Sequence, residues 1–166
     1  MLTVWLVAIT VQKRAATPWR VFNFGGPHVT VQVPGIPPLV EKQALYGGTS
    51  YLYERSFGKL ACSFATAQYS LAKKIKSQRQ AQINLNQRAN DLGLTGFKGK
   101  QRLMVSAGAD RAVAYGEGTV KGRRFGVVTD FIHSGDRVWF VVMSWPKSDR
   151  NAEQTSLRIS KSLHWQ

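Results

Sequence analysis

One short stretch, YGEGTVKGRRFG at residues 115–126, combines four glycines with a lysine and two arginines. Such composition is typical of loops whose backbone N–H groups and cations hold a phosphate. The spacing argues against this chemistry. A dinucleotide-binding loop needs GxGxxG before a helix, and here the third glycine comes one position late, at Gly122. A P-loop needs Gly-Lys-Ser/Thr, whereas Arg123 follows Gly122. A kinase-type glycine loop lies between strands, but no catalytic Asp motif follows downstream.

The residues around this stretch predict a β-hairpin instead. After it, one set of residues alternates with another in the period of two that is typical of a strand. The two sets are Phe125, Val127, Thr129 and Phe131, and Gly126, Val128, Asp130 and Ile132. Before it, Ala112, Ala114, Gly116 and Gly118 share one face, which would let a helix pack closely. Lys121-Gly122 would form the turn, because glycine readily takes a positive φ.

Other chemistry-bearing residues are scattered. His28, His133 and His164 are far apart and lack the spacing of metal ligands. Cys62 alternates with apolar residues, which indicates a buried, inert thiol. Three acids are candidates for acid or base roles, but each reads more simply as an exposed strand or turn residue: Asp110, Glu117 and Asp130. We therefore expect a protein that is not an enzyme, with no catalytic residues, no metal site and no cofactor.

Charge is the stronger functional signal. The 166 residues hold 23 Lys and Arg against 9 Asp and Glu, a formal net charge of +14. Residues 73–124 alone hold twelve of the bases and three of the acids. We name ten of these bases the predicted basic patch: Lys73, Lys74, Lys76, Arg79, Lys98, Lys100, Arg102, Lys121, Arg123 and Arg124. Such clustering favours an acidic protein or an anionic polymer or surface as partner. The alternative is a nucleic-acid-binding module that uses residues 73–124.

The elements that position these residues follow from the hydrophobic period. A strand, a Gly-Gly turn and a second strand precede Pro34, and three strands separated by glycines follow between residues 39 and 68. Apolar residues at 81, 85, 89 and 92 predict an amphipathic helix over 76–92. Four strands fit between residues 100 and 145, with the apolar run at 138–143 in the sheet interior. A last helix over 151–163 would open at Asn151, with Gln154 completing a capping box.

The N-terminal apolar segment, residues 1–18, has two interpretations. It is either a strand of the domain or a remnant export signal, and its run of about ten apolar residues is too short to span a bilayer. We expect residues 19–166 to form a single α+β domain, an antiparallel β-sheet flanked by helices. The single cysteine leaves the redox compartment open.

This arrangement resembles the family of PsbP proteins, DcrB-type lipoproteins and Mog-type Ran-binding proteins. The matching features are the entry FNFGGPHVTVQVPGIP, the strand GDRVWFVVMSW and a closing helix that ends in ISKSLHW. The resemblance implies an α/β/α sandwich and a non-catalytic binding or assembly factor, often extracytoplasmic in bacteria. It transfers no functional residue, because the family has no common catalytic set. We therefore expect an accessory or assembly protein with a basic docking surface for an acidic protein or an anionic envelope partner.

Overall fold

The computed structural model describes residues 18–25, 28–45, 48–68, 76–106 and 109–165, without the side chains of Leu45 and residues 101–106. Outside the described residues lie Lys73, Lys74 and all but the last residue of the N-terminal apolar segment. The strand or export-signal interpretation of that segment therefore concerns residues that the structure does not describe.

Ten strands and two helices make up the described part of the chain. In order they are β1 (Arg20–Asn23), β2 (Val29–Val33), β3 (Leu39–Leu45), β4 (Gly48–Phe57), β5 (Leu60–Gln68), α1 (Ser77–Asp91), β6 (Thr95–Ser106), β7 (Ala109–Val120), β8 (Arg123–Ser134), β9 (Arg137–Pro146), α2 (Arg150–Ser162) and β10 (His164–Trp165). This order confirms the predicted α+β class. No helix among these elements is long and apolar enough to cross a membrane.

A seven-stranded antiparallel sheet forms the centre of the fold. Its strand order is β3-β4-β5-β9-β8-β7-β6, so β9 lies inside the sheet, between β5 and β8. Both faces of β9 are largely buried, because Trp139 and Val141 lie in one core cluster and Val138 in another. The predicted interior strand at 138–143 is therefore confirmed.

Helix α1 covers one face of the sheet over β6, β7 and β8. Ala81, Leu85 and Ala89 are its buried apolar side chains, as the period of 3.6 predicts. The predicted small-residue face of β7 lies beneath it, with Ala112 and Ala114 in the same core cluster as Leu85. A strand face without large side chains lets the helix approach the sheet closely.

The opposite face carries a second layer. Strands β1, β2 and β10 form a separate three-stranded sheet, and Phe22 from β1 packs edge-on against Phe64 of the large sheet at 5.6 Å between ring centroids. Helix α2 packs beside it, mainly on β2, β9 and β5. Helices thus lie on both faces of the large sheet, which confirms the predicted sheet flanked by helices.

The last helix, α2, lies within one residue of the predicted range 151–163, but it does not include the end of ISKSLHW. The helix ends at Ser162 because Leu163 has extended backbone angles, φ −66° and ψ 114°. His164 and Trp165 then pair with Thr30 and Val29 of β2. His164 therefore lies in a strand that closes the small sheet, not in the last helical turn.

The predicted capping box of the last helix is also wrong. The N-cap is Asp149, whose side chain accepts a hydrogen bond from the backbone N–H of Ala152 at 2.9 Å, and α2 begins at Arg150. Aspartate is among the preferred N-cap residues because its oxygen satisfies an unpaired N–H of the first turn. Ala152, Ser156 and Ile159 are the buried side chains of α2.

Candidate functional site

The glycine-rich stretch is a β-hairpin, as predicted. Strands β7 and β8 pair from Asp110↔His133 to Val120↔Arg123, and no helix follows the turn. Lys121 and Gly122 both have positive φ, 48° and 75°, which is typical of a two-residue type I′ turn. The residues that looked like a phosphate loop therefore have a structural role.

The hairpin contributes to a depression of about 370 Å³ on the face of the large sheet that points away from α1. The register pairs Lys98 with Glu117 and Lys100 with Tyr115, so these side chains share one face. In the adjoining pair of strands, Arg124 of β8 lies opposite Thr119 of β7. The lining residues are Gly96, Lys98, Gly99, Lys100, Tyr115, Glu117, Gly118, Thr119 and Arg124.

Glu117 is held in place by a network of polar contacts. The Tyr115 hydroxyl donates to Glu117, Arg124 Nη2 lies 2.6 Å from Glu117 Oε2, and Lys147 Nζ lies 3.1 Å from Glu117 Oε1. The Tyr115 hydrogen bond, followed by those of Lys147 and Arg124, lowers the pKa of Glu117 despite its partial burial. Among the described residues, Arg124 and Lys147 are the ion-pair partners of this carboxylate, and Lys98 and Lys100 are not.

Lys147 is the residue of this site that the sequence did not reveal. It also forms an ion pair with Glu153 of α2. Burial lowers the pKa of Lys147, but the hydrogen bonds to Glu153 and Glu117 and the charges of Tyr115 and Glu117 together raise it above its ordinary value. Its backbone N–H donates to the Arg124 carbonyl at 2.9 Å. Only the pairing of β8 with β9 brings Lys147 beside Glu117, so no local pattern could have identified it.

The structure brings together part of the predicted basic patch. Lys98, Lys100 and Arg124 line the depression, and Lys121 and Arg123 are exposed at the adjoining turn. We name these five residues the basic rim. Lys121 occupies the tip of the turn, and Arg123 pairs with Val120.

The remaining described members of the patch lie elsewhere. Lys76 precedes α1, and the Ser77 hydroxyl donates to the Asp110 carbonyl at 3.2 Å. On β7, Asp110 lies five residues from Tyr115, the partner of Lys100, and nine residues from Thr119. At the rise of a strand, Lys76 is therefore about 17 to 30 Å from the rim, and Arg79 lies in the first turn of the same helix. Arg102 pairs with Val113, and its side chain is among those that the structure does not describe.

The interpretation of Asp130 as an exposed strand residue is wrong. Its side chain is fully buried and forms an ion pair with Arg111. Burial raises the pKa of Asp130, while the hydrogen bonds and charge of Arg111 and the Ser160 hydroxyl oppose that shift. Both side chains lie on strand faces next to apolar residues, which was the signal that could have predicted this pair.

The structure also describes the candidate thiol and the candidate metal ligands. Cys62 is buried, and burial raises the pKa of its thiol, which makes a thiolate unfavourable. Within the described ranges, no group of three or more His, Cys, Asp and Glu side chains could hold a metal ion.

Comparison with known proteins gives structural likeness only. No family model and no curated protein matches the sequence. One similar solved structure is LpqN of Mycobacterium tuberculosis, involved in cell envelope biogenesis, with a TM-score of 0.48, 12% identity and coverage of 89% of this chain and 90% of LpqN. Another is PA94 of Pseudomonas aeruginosa, a protein of unknown function, with a TM-score of 0.44, 12% identity and coverage of 87% of this chain and 94% of PA94. Neither name identifies the PsbP, DcrB and Mog-type family, so that resemblance stays a hypothesis.

Proposed function

We propose that this protein is a non-catalytic accessory or assembly protein that docks onto an acidic protein or an anionic envelope surface through the basic rim. The observation that carries the proposal is the convergence of Lys98, Lys100 and Arg124 on one depression beside an exposed basic turn. Cations placed close together raise the local potential and attract anionic partners. The resemblance to PsbP-type proteins supports an extracytoplasmic location as part of the same proposal.

The charge balance around the depression supports docking. Its lining contains three bases and one acid, and that acid, Glu117, is paired with Arg124 and Lys147. Lys98 and Lys100 take no part in the ion pairs found among the described residues. Their ammonium groups are exposed and could meet a partner's carboxylates or phosphates with little rearrangement.

The test is a salt series with heparin, two unrelated DNA duplexes and an RNA as anionic probes. We expect similar, steeply salt-dependent affinities for all of them, because a rim of cations reads charge and has no base-reading motif. The triple variant Lys98→Gln/Lys100→Gln/Arg124→Gln should flatten the slope of log K against log salt by about 2 to 3, since each contact releases about one counterion.

A matched control removes the same charge elsewhere. Lys59, Arg150 and Lys161 are exposed outside the rim, so the variant Lys59→Gln/Arg150→Gln/Lys161→Gln should keep nearly the whole slope. Equal slopes for the two triple variants would reject the rim as the docking surface. A strong preference for one nucleic acid at physiological salt would instead favour the nucleic-acid-binding alternative.

A further inference from the structure

A second hollow lies on the face of the large sheet that also carries the first depression. It is formed mainly by β4, β5 and β9, whereas the first depression lies on β6, β7 and β8. It has a volume of about 400 Å³, which is within the size range of small-molecule sites. Its lining residues are Gly25, Gly48, Thr49, Tyr51, Tyr53, Thr66, Gln68 and Arg137. None of them belongs to the basic rim, so this hollow is separate from the proposed docking surface.

The strand register explains why polar groups meet here. Thr49 pairs with Gln68 and Tyr51 with Thr66, and Gln68 pairs with Arg137 on the next strand. Cross-strand partners point to the same face. The small sheet covers the neighbouring part of this face, where Phe22 packs edge-on against Tyr53 at 5.2 Å. The hollow lies beside this covered part of the sheet, and Gly25 forms the boundary between them.

Gly25 marks the boundary because it lies directly against the sheet. A Cβ at this position would be 2.1 Å from Thr66 Cγ2, and its φ is 81°. The close approach leaves the Gly25 carbonyl within 3.2 Å of Arg137 Nη1, which donates to it. Gly25, which follows β1 of the small sheet, therefore forms one wall of the hollow, and its carbonyl helps to hold the Arg137 guanidinium in place.

The guanidinium of Arg137 is oriented by hydrogen bonds and is suited to bind an anion. Its Nη2 donates to Gln68 Oε1 at 2.8 Å, and the guanidinium lies 5.9 Å from the centre of the Trp139 ring. The acceptors of Arg137 found among the described residues, the Gly25 carbonyl and the Gln68 amide oxygen, are neutral and orient the guanidinium. The amide nitrogen of Gln68 donates in turn to Asp136 Oδ2 at 3.0 Å, so that carboxylate is linked to Arg137 through Gln68. Further N–H groups of the planar fork can donate to a carboxylate.

The aromatic side chains add a second kind of contact. Tyr51 and Tyr53 are half-buried, and each offers an apolar ring and a hydroxyl, a combination suited to ligands with both apolar and polar surface. Lys42 from the edge strand β3 places its Nζ 5.6 Å from the centre of the Tyr51 ring, which adds a second cation near the hollow. The Thr66 hydroxyl already donates to the Val138 carbonyl at 3.0 Å. The other hydroxyl-bearing residues of the lining are Thr49, Tyr51 and Tyr53.

We propose that this hollow binds a small anionic sugar, a single ring that carries a carboxylate. The carboxylate would pair with Arg137, the ring hydroxyls would bond to Thr49 and the tyrosine hydroxyls, and the C–H face would pack on a tyrosine ring. The volume fits one such ring. A neutral sugar would lack the carboxylate that pairs with the Arg137 guanidinium, which would be the strongest contact in the site. This site is independent of the proposed docking function.

The test is a titration with D-glucuronate at physiological salt, followed by two-dimensional amide NMR and calorimetry. D-glucose and acetate are the matched probes, since each carries half of the proposed ligand chemistry. We expect saturable binding with shifts at residues 49–53, 66–68 and 137. D-glucose should bind at least about tenfold more weakly, because it lacks the carboxylate and so loses a charge-assisted hydrogen bond. Acetate should also bind at least about tenfold more weakly, because it lacks the ring hydroxyls and the C–H face. No saturation below about 10 mM glucuronate, a weak affinity on the usual scale, would overturn the proposal.

Variants distinguish the hollow from general attraction to a basic protein. Arg137→Gln should weaken glucuronate binding at least about tenfold, and Tyr51→Ala should weaken it while leaving acetate unchanged. Lys42→Gln serves as a variant that keeps the Arg137 contacts and should cause a smaller loss. The rim variant Lys98→Gln/Lys100→Gln/Arg124→Gln should bind glucuronate like the unmodified protein. Acetate binding as tightly as glucuronate, or equal binding by a folded Arg137→Gln variant, would overturn the assignment.

Discussion

Arg111 on β7 holds the fully buried carboxylate of Asp130 on β8, and the Arg111 Nε lies 2.7 Å from Asp130 Oδ1. The same guanidinium donates from Nη2 to the Ser160 carbonyl at 2.8 Å and from Nη1 to the Leu163 carbonyl at 3.2 Å. The Ser160 hydroxyl donates to Asp130 Oδ2 at 3.0 Å. One ion pair thus connects the hairpin of the large sheet to the last turn of α2. Its guanidinium adds a donor to the Ser160 carbonyl, which also accepts the Leu163 N–H at 3.3 Å.

Asp130→Asn should destabilise the protein by about 3 kcal/mol, because it leaves the partly buried Arg111 without its counter-charge. Urea unfolding followed by circular dichroism measures the loss. Asp110→Asn, an exposed aspartate on β7, is the matched control and should change the unfolding free energy by less than about 0.5 kcal/mol. Equal effects of the two substitutions would show that the buried pair contributes nothing beyond its surroundings.

The hairpin and the helices could be predicted because their signals are local. Periods of two and 3.6 residues and a Lys-Gly turn are short-range features, and the structure places β7, β8 and α1 as those features indicate. Burial of Asp130 was overlooked although the same alternation put it beside Val128 and Ile132. A charged residue flanked by apolar residues on one strand face indicates a partner on the neighbouring strand.

Non-local relationships account for what the sequence could not predict. Lys147 reaches Glu117 only through the β8–β9 register, and the ion pair has no spacing signature along the chain. The separation of Lys76 from Lys98 has the same origin, because α1 runs along the sheet and carries its first residue to the far end of β7. A charge cluster in sequence becomes a cluster in space only if the fold brings its elements to one edge.

Gly122→Val should cost about 1 kcal/mol or more, because a β-branched residue must adopt the positive φ of the turn. Space is not the cause, since a Cβ at Gly122 would meet nothing within 4 Å. Gly122→Asn is the control and should cost less, as asparagine tolerates this conformation. Thermal unfolding measures both variants, and an equal loss would contradict the backbone explanation. The unmodified protein should not bind ATP or NAD. Saturable binding by the unmodified protein that Gly122→Val abolishes would restore the phosphate-loop interpretation.

Gly116→Ala should destabilise the protein by about 1 to 3 kcal/mol through overpacking. A Cβ at Gly116 would lie 2.3 Å from Phe97 Cζ and 3.0 Å from the Lys98 carbonyl oxygen. Most of the clash is with the ring, so Phe97→Leu should reduce the cost of Gly116→Ala. A double-mutant cycle by urea unfolding measures this coupling. Additive effects would show that the backbone contact, and not the Phe97 ring, limits the space on this face.

Glu117→Gln should make the protein less sensitive to acid. The Tyr115 hydroxyl, Lys147 and Arg124 hold the pKa of Glu117 below its ordinary value in the folded protein. A carboxylate with a depressed folded-state pKa contributes stability that is present above its unfolded pKa and is lost as the pH falls through the folded pKa. The unmodified protein should therefore lose more unfolding free energy than Glu117→Gln as the pH falls from about 5 through the ordinary glutamate pKa of about 4.3 and below.

The control for this measurement is Glu41→Gln, because Glu41 is an exposed glutamate on the edge strand β3. That variant should keep the acid sensitivity of the unmodified protein, since it removes no carboxylate of the depression. Urea unfolding at a series of pH values gives the three curves. Parallel curves for Glu117→Gln and the unmodified protein would mean that the contacts of Tyr115, Lys147 and Arg124 do not stabilise the ionised carboxylate. The conclusion that these contacts keep Glu117 ionised beside the basic rim would then be wrong.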